Sequence, residues 1–132
     1  MDASTRDLVR WRAGERCEYC RLQQEHSGLI HHIEHIVARQ HGGSDDPDNL
    51  ALACHRSNLH KGPNLTGIDP RTEQVVSLFH PRRDRWSEHF VFEGVYIFGI
   101  SAIGRATVRV VVMNDARRRE VRTEVLKHGG LT

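Results

Sequence analysis

The feature that most restricts this chain is its cysteine spacing, Cys17-x-x-Cys20 followed by a third cysteine at Cys54. A pair separated by two residues normally meets a second pair to enclose a structural Zn²⁺ tetrahedrally, which pins distant segments to one point. Three cysteines fit metal ligation in a reducing compartment better than a disulfide framework, and no disulfide is expected. With 132 residues the chain suits one domain, long enough for a modest core and too short for two independent ones.

Ten histidines is a high count for this length, and six of them (His31, His32, His35, His41, His55, His60) fall within residues 31–61. Such clustering points to chemistry. The net charge of +2 is too weak to announce a nucleic-acid binder, but its distribution is uneven. Residues 1–70 carry 8 basic and 10 acidic side chains, whereas residues 71–132 carry 11 and 7. The second half is therefore the better phosphate-facing surface. The N-terminus is polar, and the longest apolar stretch, 95–103, is broken by Gly99. A soluble, cytoplasmic protein without a membrane span is expected.

The patterning predicts an α+β chain. Ser4 or Thr5 caps a first helix running to about Arg16, with a stripe of Leu8, Val9, Trp11 and Arg12. Residues 29–37 read as a strand, followed by a Gly42-Gly43 turn, an acidic loop over 45–48 and a second strand over 50–53. Residues 54–61 then form a short helix ended by Gly62-Pro63. Beyond this unit, 64–71 is turn-rich, 75–79 is a strand, and Glu93-Gly94 joins a hairpin between Val91 and Tyr96. Ser101 caps a helix with Ile103, Val108, Val111 and Val112 inward, and a final helix spans about 115–126. No internal repeat or low-complexity segment is present.

Taken in order, Cys17-x-x-Cys20, Glu34-His35-Ile36, Gly42-Gly43, Asp48-Asn49-Leu50, Cys54 and Asn58-x-x-Lys61-Gly62 resemble the HNH endonuclease family. Phe79-His80-Pro81-Arg82 and Trp86-x-x-His89-Phe90 are similar to the extension of a bacterial subgroup. The resemblance implies a ββα-metal unit over about 17–63, flanked by the first helix and followed by a β-hairpin and helical extension over 64–132. It implies an enzyme, a metal-dependent endonuclease hydrolysing DNA phosphodiesters. In that reading His35 is the general base, Glu34 and Asn58 each place an oxygen on one Mg²⁺ or Mn²⁺, and Asn49 ties the loop. Lys61, one turn past Asn58, reaches the same phosphate. In a regular strand Glu34 and His35 would face opposite sides, so a twist or strand end must bring them together.

The resemblance also implies a structural Zn²⁺ on Cys17, Cys20 and Cys54, but Ser57 stands where family members carry the fourth cysteine. The fourth position then belongs to water, His55 or His60, or the site is empty. His32 is either a supporting neighbour of the site or solvated, and His41 belongs to the loop. Arg82, Arg83 and Arg85 read as a solvated turn or a DNA-backbone contact, Trp86 as a core anchor, and Arg117 to Arg119 as one wet helix face. The competing function is a non-catalytic nucleic-acid-binding zinc module on the same scaffold; a third is a structural or interaction protein. Monomer and homodimer both remain open, because cutting both strands at once usually asks for two active sites.

Overall fold

The computed structural model describes residues 1–129. Its helices and strands, in chain order, are α1 (Ala3–Arg12), β1 (His32–His35), β2 (Leu50–Ala53), α2 (His55–Lys61), β3 (Thr66–Ile68), β4 (Val75–Ser77), α3 (Trp86–His89), β5 (Phe90–Glu93), β6 (Tyr96–Gly99), α4 (Ala102–Val110) and α5 (Ala116–Lys127). The strands form three separate antiparallel ribbons, β1 with β2, β3 with β4 and β5 with β6. The architecture is α+β, with a ββα unit at its head and helices at its C-terminal end. No helix among the described residues is long and apolar enough to cross a membrane.

Helix α1 starts earlier than the pattern predicts. Asp2 is the cap, its carboxylate accepting from the Thr5 amide at 2.8 Å. The helix stops at Arg12 because Gly14 (φ 64°) and Glu15 (φ 57°) turn the backbone left-handed. Its inward side is Val9, packed on Leu50 and Leu52. Trp11, expected in the stripe, is 79% exposed. Two arginines fasten α1 instead: Arg10 donates to the His31 carbonyl and Arg12 to the Pro47 and Leu50 carbonyls, at 2.6–2.9 Å.

Strand β1 is shorter than expected because side chains intercept its ends. The Leu29 carbonyl accepts from Gln24 and Ser27, and the Val37 amide donates to Asn49 Oδ1 at 2.9 Å. The register pairs His32 with Ala53, Glu34 with Ala51 and His35 with Leu50. Strand β2 is fully buried, as its apolar run requires. The loop between the strands closes through Gly43, where a β-carbon would stand 1.7 Å from the Val37 carbonyl oxygen. Only glycine admits that approach.

The turn-rich region 64–71 holds an unanticipated strand, β3. Strand β4 ends at Ser77, before Phe79, since Phe79 donates its amide to Thr107 Oγ1 on α4 at 2.9 Å. Between them, Asp69 is fully buried and takes both arms of the Arg105 guanidinium at 2.9 Å. That pair holds the Asp69 carboxyl far below its usual range and ties the ribbon to α4. The predicted hairpin forms with Glu93 opposite Tyr96, and Ser101 and Asp115 cap α4 and α5. Val112 is exposed rather than inward, because its backbone turns left-handed (φ 52°) at the end of α4.

The main core joins Cys17, Tyr19 and Cys20 with Ile36, Phe79, Phe90, Ile97, Val111 and Met113, so residues from both halves share it. Trp86 lies against Phe90 and Phe92 and donates to the Tyr19 carbonyl at 2.7 Å, as a core anchor does. The turn before it carries an ion pair between Arg82 and Glu18, while Arg83 and Arg85 are exposed.

The arginines of α5 are not one wet face. Arg118 is 3% and Arg122 6% exposed. Arg118 donates to the Val111 and Val112 carbonyls at 2.6 and 2.7 Å and to Ser57 Oγ at 2.9 Å; Arg122 donates to the Met113 and Val95 carbonyls. Helical spacing alone cannot separate a solvated arginine from one satisfying carbonyls at a neighbouring helix end. Arg118→Ala is expected to cost about 3 kcal/mol by orphaning those carbonyls, lowering Tm by roughly 10 °C. The exposed neighbour change Arg117→Ala is expected to stay within about 0.5 kcal/mol in the same thermal melt.

Candidate active site and metal centre

Successive side chains of a strand alternate, and β1 uses this to put Glu34 and His35 in different surroundings. Glu34 is 6% exposed and faces inward. One carboxylate oxygen accepts from the Tyr19 hydroxyl and the other lies 3.5 Å from Lys61 Nζ. Lys61 is 1% exposed, and its ammonium donates to the Ile36 carbonyl at 2.9 Å. Burial pushes the Glu34 carboxyl up, opposed by the Lys61 charge and the Tyr19 hydrogen bond. Burial and the nearby Glu34 likewise raise the Tyr19 phenol, which stays protonated and donates.

His35 turns the other way, towards solvent. Its Nε2 is 2.7 Å from Asp45 Oδ1, with the imidazole 21% and the carboxylate 44% exposed. Arg39 adds bonds of 2.9 and 3.0 Å to the two Asp45 oxygens. The His35 hydrogen bond, helped by Arg39, holds the Asp45 carboxyl below its usual range. An ionised carboxylate only accepts, so His35 Nε2 donates to Asp45 and Nδ1 takes no part in that bond. Asn49 fixes the loop bearing Asp45: its Nδ2 donates to the Val37 and Ser44 carbonyls at 3.0 and 2.8 Å.

Helix α2 lies beside β1. Asn58 sits three residues after His55 and three before Lys61, on the helix stripe whose last member crosses to Glu34. The structure therefore forms two groups about β1, an interior one of Glu34, Lys61 and Tyr19 and an open one of His35, Asp45 and Arg39. Glu34 does not fit a hard divalent cation as arranged. Both Glu34 oxygens are engaged, and the buried Lys61 ammonium already supplies the positive charge.

The cysteines do converge. The Sγ atoms of Cys17, Cys20 and Cys54 all lie within 4.8 Å of one another, with Cys20 and Cys54 3.5 Å apart. A tetrahedral zinc with Zn–S of about 2.3 Å needs sulfurs about 3.8 Å apart, so these three would hold Zn²⁺ with small adjustments. Ser57 Oγ occupies the fourth corner, 3.5 Å from Cys17 Sγ and 3.3 Å from Cys54 Sγ. Among the described residues no histidine nitrogen joins the group, which leaves His55 and His60 outside it. Three thiolates and a divalent ion leave one negative charge, which the buried Arg118 guanidinium on Ser57 balances. Bound there, zinc would supply cross-linking of three chain segments. Without it, the thiols of Cys17 and Cys54 pull the Cys20 thiol down, with Arg118 adding to the effect, while burial pushes Cys17 up.

Sequence reasoning missed Asp45, Tyr19 and Arg118. Asp45 left a trace as part of the acidic loop, and Tyr19 as the aromatic residue within the cysteine pair. Arg118 left only its place three residues after a helix-capping Asp115.

No curated protein and no solved structure matches the chain. Residues 17–64, which span the cysteine pair, both strands of the first ribbon and α2, match the family model described as HNH endonuclease. Over this stretch the chain is similar to an HNH endonuclease domain.

Proposed function

We propose that the chain is a divalent-metal-dependent endonuclease hydrolysing DNA phosphodiester bonds, with His35 as general base. The domain match supports nuclease-type activity, nucleic acid as substrate and the use of a divalent metal, here Mg²⁺ or Mn²⁺. The single observation that carries the assignment of the base is the solvent-facing His35–Asp45 pair, which leaves Nδ1 free to accept a proton from water. Asp45 holds the ring and stabilises the imidazolium as it forms, and Asn49 keeps the Asp45 loop in place. Lys61 acts from the interior, neutralising Glu34 beneath the site and bracing the end of β1. A divalent cation bound at the site would supply stabilisation of charge on the scissile phosphate and the departing oxygen.

Residues 64–129 are proposed as an extension of the same domain, since the main core runs through both parts. A reducing, cytoplasmic setting agrees with three free thiols in one buried cluster. The engaged Glu34 carboxylate favours a second reading, a module that binds nucleic acid through the same scaffold without turnover.

Supercoiled plasmid incubated with EDTA, Mg²⁺ or Mn²⁺ separates the two. Metal-dependent conversion to open-circular or linear DNA is expected, and His35→Ala should slow it at least about a hundredfold with the fold intact by circular dichroism. Asp45→Asn should slow it about tenfold or more, since the ring loses its charged partner. Retardation of the plasmid without nicking under any metal would establish the binding module instead. Independently, Ser57→Cys should raise both zinc content, measured by elemental analysis, and Tm. No change in either would mean that zinc does not occupy the sulfur cluster.

A further inference from the structure

The mismatch at Glu34 raises the question of where a cation would sit, and the ββα unit offers another donor set. His32 stands at the end of β1 opposite Ala53, the last residue of β2; the chain then passes through Cys54 into α2, whose first residue is His55. This topology sets two imidazoles face to face across the strand-to-helix corner. His32 Nε2 lies 3.3 Å from His55 Nδ1, with the ring planes inclined at 36° and both residues exposed. The ring centroids are 5.5 Å apart, and the two facing nitrogens lie within hydrogen-bonding distance of each other.

We propose that His32 and His55 chelate a divalent transition-metal ion, Mn²⁺, Co²⁺, Ni²⁺ or Zn²⁺ in preference to Mg²⁺. Two imidazole nitrogens bound tetrahedrally at about 2.0–2.1 Å stand roughly 3.3 Å apart, which is the separation already present without an ion. Affinity of imidazole donors falls from Ni²⁺ and Zn²⁺ through Co²⁺ to Mn²⁺, and Mg²⁺ keeps to oxygen. Asn58 lies one turn after His55 on the same stripe of α2. Exposure of both histidines leaves coordination positions for water or a phosphate oxygen. The site is separate from the sulfur cluster, whose group of ligand atoms includes neither histidine. A part for Mn²⁺ at this site in phosphodiester hydrolysis rests on the nuclease reading; the site's existence rests on the histidine geometry alone.

The test uses the full chain loaded with one equivalent of Zn²⁺ to fill the sulfur cluster, then titrated with Ni²⁺ by isothermal calorimetry. One further equivalent is expected to bind. His32→Gln and His55→Gln should each weaken Ni²⁺ at least about tenfold, while His60→Gln on the same helix should leave it unchanged. Thermal melts of the three variants without Ni²⁺ establish that each is folded. Ni²⁺ bound equally by all variants, or not bound by the parent, overturns the site. Plasmid cleavage read in parallel keeps the two readings apart. Histidine-dependent binding without cleavage upholds the site and removes the nuclease reading; cleavage with undiminished Ni²⁺ binding in both variants removes the site and leaves the nuclease.

Discussion

The structure hangs on one buried junction, where the Arg118 guanidinium meets Ser57 beside the sulfurs of Cys17, Cys20 and Cys54. Four parts of the chain end there: the turn after α1, the exit of β2, the first turn of α2 and the first turn of α5. None of the three ribbons extends another, so no shared sheet aligns them. Two-stranded ribbons are marginal alone and must be held by what packs on them. Here that work falls to cross-links of a polar kind, the sulfur cluster, Arg118 and Arg122 at the end of α4, and Arg105 on Asp69. A buried guanidinium needs every donor occupied, and carbonyls at a helix end need donors, so each satisfies the other.

The division of β1 into two faces decides the chemistry available to the site. Alternation sends Glu34 to Tyr19 and Lys61 in the interior and His35 to Asp45 at the surface. Burying a carboxylate costs several kcal/mol unless it is paired and hydrogen-bonded, and Glu34 has both an ammonium and a phenol. His35 is placed in the opposite way, at the surface and held by a carboxylate that an arginine in turn steadies. Proton transfer needs access to water, whereas a structural ion pair gains from its exclusion.

Much of this was legible in the sequence wherever a residue acts on its immediate neighbours. Strand β2 falls on 50–53 as its apolar run predicts, α2 ends at Gly62, and Ser101 and Asp115 cap the last two helices. Local rules failed where a distant partner took over. Strand β1 is cut short by Asn49 and Gln24, α1 is anchored by its arginines rather than by Trp11, and two arginines of α5 lie inside. At the candidate site, the family motif pointed to the three cysteines that the structure brings together, and to His35 and Asn49. It carried no information on Asp45, whose importance depends on how the loop folds back, or on Tyr19, which reaches Glu34 across 15 positions.

Cys54 has two duties that meet in one atom. Its Sγ is a member of the sulfur cluster, and it also accepts the Ser57 amide as the cap of α2. The first turn of α2 therefore takes its position from the same sulfur that closes the cluster, and His55 and Asn58 ride on that turn. A shift of a fraction of an ångström at the sulfur, of the size that sets a metal–thiolate bond, is passed directly into the pitch and direction of the helix. The sulfur cluster and the start of α2 are in this sense one mechanical part, so a metal bound at the first would set the alignment of the second.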